Sequence, residues 1–127
     1  MICFLTIQEI LNIHEVLIEK FGGSLGVRNK DLLESALTQP QTSFAGHYLH
    51  KNIFMMAAAY TFHIIKNHPF VDGNKRTGMA AAITFLHLNG YTVNFSQENF
   101  CQLAINIATS KLSKKKLAEI FEKAVTI

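Results

Sequence analysis

The chain is 127 residues long, 49% hydrophobic and 17% charged, with two prolines, a balance that suits one compact core over 1–127 and excludes a disordered segment. Its formal net charge of +3 permits an acidic or phosphorylated partner without identifying one. The charge-free stretches 52–65 and 77–97 fall short of a spanning helix, the second being broken by Gly90 and strand-like alternation. The start MICFLTIQEI has neither the basic region nor the cleavage site of a leader, so the expectation is a cytoplasmic protein with no membrane partner.

Thr6 followed by Glu9 is a capping-box pattern, and Ile7, Ile10, Leu11, Leu17, Ile18 and Phe21 recur at helical spacing, which predicts a first helix over about 7–20. Gly22 and Gly23 end it. Asn29 or Lys30 opens a short second helix through Leu37, stopped by Pro40, and residues 39–50 turn polar and irregular, as a surface loop or flap would. Residues 52–67 and 77–88 are apolar on nearly every face and belong in the middle of a bundle. Pro69 ends the first of these and biases His68 away from the helical region, Asn74 is placed to cap the second, and Asn89 with Gly90 closes it. YTVNF then alternates like one short strand, Ser96 can cap a helix to about Ser110, and Ser113 another to the C-terminus. The fold class is all-α, a compact bundle of about six helices with a short flap or strand.

Cys3 and Cys101 lie far apart in apolar neighbourhoods without metal-ligand spacing and read as reduced structural thiols. The basic run KLSKKK, residues 111–116, has no interleaved aromatics and reads as a solvated connection between helices, not as a nucleic-acid patch.

The stretch HPFVDGNKRTG, residues 68–78, joins the two apolar helices. A polar loop there sits at the end of the core, with the unpaired N–H groups and positive dipole end of the following helix available to an anion. Lys75 and Arg76 are electrostatically wrong for a helix N-terminus by itself, and an anion would explain them. Phosphate suits: Gly73 lets backbone approach closely, Arg76 can grip it bidentately and Lys75 adds a compact charge. Asp72 is placed to hold a divalent ion, and His68 brings a group that can take a proton from an attacking hydroxyl. These parts describe phosphoryl or nucleotidyl transfer. Thr77 is expected to bond back along its helix. The other histidines, His14, His47, His50, His63 and His87, form no metal-ligand spacing. His63 and His87 are expected as hydrogen-bonded packing residues, whereas His47 and His50 lie in the flap, within reach of a substrate.

HPFVDGNKRTG resembles the signature of the Fic/Doc family, HxFx[D/E][G/A]N followed by G or K and then R. Every specified position is met, a match that average residue usage produces on the order of once in 10⁸ positions. GGSLGVRNKDLLESALTQPQTSFAG, residues 22–46, and the apolar helix before the motif are also similar to the death-on-curing (Doc) branch. The resemblance implies a helical bundle with ATP and magnesium over the loop. In it His68 is the general base, Phe70 the loop's anchor in the core and Asp72 the magnesium ligand, while Gly73, Asn74, Lys75 and Arg76 form the phosphate cradle. Family members that transfer AMP mostly carry glycine where this chain has Lys75, and the Doc branch carries lysine. That branch implies a reversed ATP whose γ-phosphoryl group goes to a threonine of elongation factor Tu, arresting translation. The self-inhibiting string [S/T]xxxE[G/N] does not occur in the chain, so control is expected from a Phd-like antitoxin. Two other readings stay open: a nucleotidyltransferase using the same site, and a non-enzymatic binding module that retains the fold.

Overall fold

The computed structural model describes residues 1–95 and 97–126. Helix α1 (Ile7–Phe21) starts at the expected capping box, Thr6 accepting from the Glu9 N–H while the Glu9 side chain accepts from the Thr6 N–H. It ends at Gly22, whose φ of 86° is open to glycine. Asn29 caps α2 (Lys30–Thr38), and Pro40 begins no sharp stop: it sits at the start of a 3-10 turn, Gln39–Gln41, where its missing N–H costs nothing. The expected irregular flap is a small hairpin, β1 (Ser43–Phe44) paired antiparallel with β2 (His47–Tyr48).

The centre of the molecule is α3 (Ile53–Asn67) against α4 (Asn74–Leu88). Met56, Ala57, Ala58, Tyr60 and Ile64 of the first meet Met79, Ala81, Ala82, Phe85 and Leu86 of the second in a fully enclosed core. Where Gly78 faces α3, Thr61 donates its hydroxyl to the Gly78 carbonyl at 2.8 Å, and a Cβ on Gly78 would lie 3.1 Å from the Thr61 carbonyl oxygen. The pair thus locks the two helices close behind the polar loop that joins them. The N-terminal segment is tied to the same core, since the Leu5 N–H donates to the Tyr60 hydroxyl at 2.9 Å.

After α4 come β3 (Thr92–Val93), α5 (Gln97–Ala108), α6 (Lys114–Ala124) and β4 (Val125–Thr126). The single strand expected at YTVNF has a partner, because the chain leaves α6 at Ala124 and pairs β4 antiparallel with β3. Ser113 caps α6 as anticipated, accepting from the Lys116 N–H at 3.1 Å, whereas the proposed cap Ser96 lies outside the described residues. Among the described residues no helix is long and apolar enough to cross a membrane.

Candidate active site

The loop between α3 and α4 is shaped by its ends. His68 stops α3 in the left-handed region, at φ 51° and ψ 55°, a conformation that costs a non-glycine residue roughly 1 kcal/mol. Two neighbours impose it. Pro69 bars the ordinary helical region to the residue before it. Arg28, a residue the sequence did not single out by its chemistry, donates Nε to the His68 carbonyl at 2.7 Å and Nη2 to the Asn67 carbonyl at 3.0 Å. Its guanidinium closes the carbonyl end of α3, where a cation is favoured. The His68 imidazole is left exposed at the mouth of a cleft.

From His68 the chain dives inward. Phe70 is fully buried, as anticipated, and Asn74 clasps it: the Phe70 N–H donates to Asn74 Oδ1 and Asn74 Nδ2 donates to the Phe70 carbonyl, both at 2.9 Å. This corrects the expected helix cap. The cap is Gly73, at φ 78°, and Asn74 is the first helical residue, its buried amide committed to holding the loop, so that only its backbone N–H is free for a ligand. Residues 26–29 lie alongside as a strand-like splint. The Arg28 and Asn29 N–H groups donate to the Pro69 carbonyl at 2.7 and 3.1 Å, and the Val71 N–H donates to the Gly26 carbonyl at 3.0 Å.

Asp72 stands exposed, its carboxylate steered by backbone: Oδ1 accepts from the Gly73 N–H at 2.9 Å and Oδ2 from the Ser24 N–H at 3.2 Å. Each oxygen keeps a lone pair, so the carboxylate is oriented yet able to take a hard cation. Space for it is made at Gly23, where a Cβ would sit 2.7 Å from Asp72 Oδ2. Among the described residues no three His, Cys, Asp or Glu side chains gather as a ready metal cage.

Helix α4 begins without a side-chain cap, and the N–H groups of Asn74, Lys75 and Arg76 have no partner inside the helix. Lys75 is exposed. Arg76 is half-buried, with its guanidinium carbon 4.3 Å from the centre of the Phe21 ring, a face contact that leaves the N–H edge available. His68, Asp72, Gly73, Asn74, Lys75 and Arg76 all line one cleft of about 500 Å³. Its opposite wall, which the sequence did not suggest, is an apolar strip of α5 containing Phe100, Ala104, Ile105 and Ala108. An anion at the loop and a flat apolar group against α5 would both be accommodated, the two requirements of a nucleotide.

A family model described as Fic/DOC family matches residues 4–86. The chain belongs to the Fic/DOC family. It is 47% identical over 70 residues to a protein named Toxin Doc from Mycolicibacterium smegmatis, a match that covers 55% of this chain and 54% of that one. The chain thus spans about half the length of that relative. It is 28% identical over 112 residues to Protein kinase doc of Escherichia phage P1, covering 88% of this chain and 87% of the phage protein. The family model ends at the C-terminal part of α4, so the α5 wall lies outside the matched segment.

Several expectations about other side chains are corrected. Thr77 is buried, and its hydroxyl has no partner among the described residues, so it neither bonds back along the helix nor lines the cleft. His87 is exposed, not packed. His47 is exposed on the hairpin, but His50 is buried away from the cleft, sharing with His63 the ammonium of Lys114, whose Nζ lies 3.1 and 2.9 Å from their Nε2 atoms. One lysine of the supposedly solvated basic run is therefore half-buried and turned toward two histidines.

Proposed function

We propose that this Fic/DOC chain is the toxin of a toxin–antitoxin pair and a protein kinase dependent on ATP and magnesium, acting in the cytoplasm as one domain over residues 1–127. The γ-phosphoryl group goes to a threonine of elongation factor Tu, which blocks translation. The names of the two relatives support the toxin and kinase halves of this reading. The observation that carries the choice of phosphate is Lys75, exposed in the first turn of an uncapped helix and lining the same cleft as His68 and Asp72. A glycine at that position would leave bare backbone for an internal phosphate. Lysine fills the space with a four-carbon stem and a charge, so the terminal phosphate is the one that fits beside His68.

In this reading His68 takes the proton of the threonine hydroxyl as its oxygen attacks the γ-phosphorus. The bond to that phosphorus forms while the bond to the β-bridging oxygen breaks, and ADP leaves. The N–H groups at the start of α4, with Lys75 and Arg76, hold the phosphates in line and balance the charge that builds on them. Asp72 would hold the magnesium, which would supply neutralisation of phosphate charge. A Phd-like antitoxin is the controlling partner, and no direct contact with nucleic acid is involved.

The test uses ATP labelled at either end, with purified elongation factor Tu and then a cytosolic extract as acceptor. Label from the γ-position is expected on the acceptor and label from the α-position is not. Lys75→Gly is expected to lose the γ-transfer. Transfer of α-label by the parent without γ-label would replace the kinase by a nucleotidyltransferase, and no transfer of either would leave a binding module.

A further inference from the structure

The buried stripe of α1 is Ile10, His14 and Ile18, one residue per turn, with a histidine where the pattern calls for a third aliphatic side chain. His14 is 3% exposed and its ring lies flat on Phe70, the centroids 3.9 Å apart and the planes 7° from parallel. Its Nε2 is 2.8 Å from the Asp72 carbonyl oxygen. A carbonyl oxygen can only accept, so Nε2 carries the proton and donates. A Cβ on Gly73 would come within 3.6 Å of the same ring, which places His14 directly beneath the turn from loop into α4.

We propose that His14 is a positioning residue of the catalytic loop: by stacking on Phe70 and donating to the Asp72 carbonyl, it fixes the peptide plane between Asp72 and Gly73. That plane sets two things at once. On one side it directs the Asp72 side chain, whose carboxylate closes on the Gly73 N–H and the Ser24 N–H. On the other it fixes the left-handed Gly73 from which the N–H groups of α4 project. Asn74 and residues 26–29 hold Phe70, Pro69 and Val71, and the Asp72 carbonyl just beyond them is met by His14 of α1. Without the donor the peptide can rotate, and the carboxylate and the phosphate-facing N–H groups lose their common alignment although each is still present. A supporting residue that allows misplacement of about 1 Å can cost on the order of 10²-fold in rate.

This inference rests on the kinase reading for its activity measurement and on nothing but the loop for its structural one. His14→Phe keeps an aromatic ring against Phe70 and loses the donor. His14→Gln places an amide N–H where Nε2 stands, and His14→Met has the same reach without a donor, which keeps the comparison valid if the phenylalanine variant does not fold. In the amide proton–nitrogen spectrum of the full chain, the Gly73 and Asn74 signals are expected to shift and broaden in the Phe and Met variants and to return toward their parent positions in the Gln variant. At saturating ATP, kcat for γ-phosphate transfer is expected to fall about 10- to 100-fold in Phe and Met with KM for ATP changed far less, and Gln is expected to recover most of that loss. Unmoved Gly73 and Asn74 signals in both donor-free variants, or a Gln variant as impaired as Met, would overturn the positioning role. A parent chain that transfers no γ-label would defeat the kinase reading separately, with the amide signals still deciding His14.

Discussion

At the scale of single residues, the candidate base and the strain at its backbone are separable. His68→Ala keeps a non-glycine residue at φ 51° and is expected to lower transfer by roughly 10²–10⁴-fold with little change in stability, because the imidazole is exposed. His68→Gly removes the same imidazole and also the left-handed penalty, so it should be as inactive as the alanine variant yet more stable by up to about 1 kcal/mol. Denaturant midpoints of the two variants check this, and equal midpoints would mean that the left-handed backbone at this position carries no measurable penalty. A second residue-scale expectation concerns Gly23, where φ is 119° and a Cβ would press on Asp72 Oδ2. Gly23→Ala should displace the carboxylate and raise the magnesium concentration needed for half-maximal transfer, measured by titration; an unchanged requirement would remove Asp72 from the metal. The residues facing the cleft from the loop are contiguous in sequence, so their lying together on one cleft was legible there. Their supports were not. His14 acts 58 residues away on Asp72 and Arg28 acts 40 residues away on His68, and no local spacing encodes such pairs. The one available signal was His14 itself, a polar residue in an apolar stripe.

Among the elements, the helices were legible because capping residues and apolar periodicity agree, as at Thr6, Asn29 and Ser113. What periodicity could not show was pairing between distant short segments, hence the missed β4 and the hairpin in the flap. It also could not show that Lys114, at the start of α6, turns inward to join His50 after the flap and His63 in α3. Burial first, then the Lys114 charge, hold both imidazoles below their ordinary pKa, His63 at about 4. Burial lowers Lys114 as well. The unfolded chain therefore takes up the histidine protons at higher pH than the folded one. The junction's contribution to stability is present above about pH 6.5 and is lost as pH falls from there toward 4, by about 1–2 kcal/mol once partial exposure is allowed for. Lys114→Met removes the neighbouring charge and should flatten this acid limb. Thermal midpoints of parent and variant from pH 7 to pH 4 test it, and two parallel curves would show that the ammonium has no part in the effect.

For the whole molecule, the loop and the α5 wall make a cleft that is open in the isolated chain, and no self-inhibiting string is present in the sequence. Expressed alone, the chain is therefore expected to arrest growth, and with its cognate antitoxin to be silent, the antitoxin segment ordering as it binds. Growth curves with and without the partner decide this, and a chain that is harmless alone despite measurable transfer would end the toxin reading. The general class of the molecule, an all-helical bundle with a polar loop at the end of its core, was evident from the sequence. The second wall of the cleft was not, since α5 meets the loop only after α4 has turned the chain back.

The order in which these parts leave the ribosome follows from the same arrangement. At about 5–20 residues per second, α1 and the splint at residues 26–29 are made first, the motif loop several seconds later, and the α5 wall and the β3–β4 closure last. The hydrogen bonds that His14, Ser24 and residues 26–29 make to the loop come from chain already synthesised, and Asn74 adds its clasp on Phe70 four residues later, while the apolar side of the cleft arrives only with α5. Synthesis thus places a delay between a shaped loop and a walled cleft, and on the toxin reading proposed above this is an interval in which an antitoxin can reach the nascent chain before the cleft is complete.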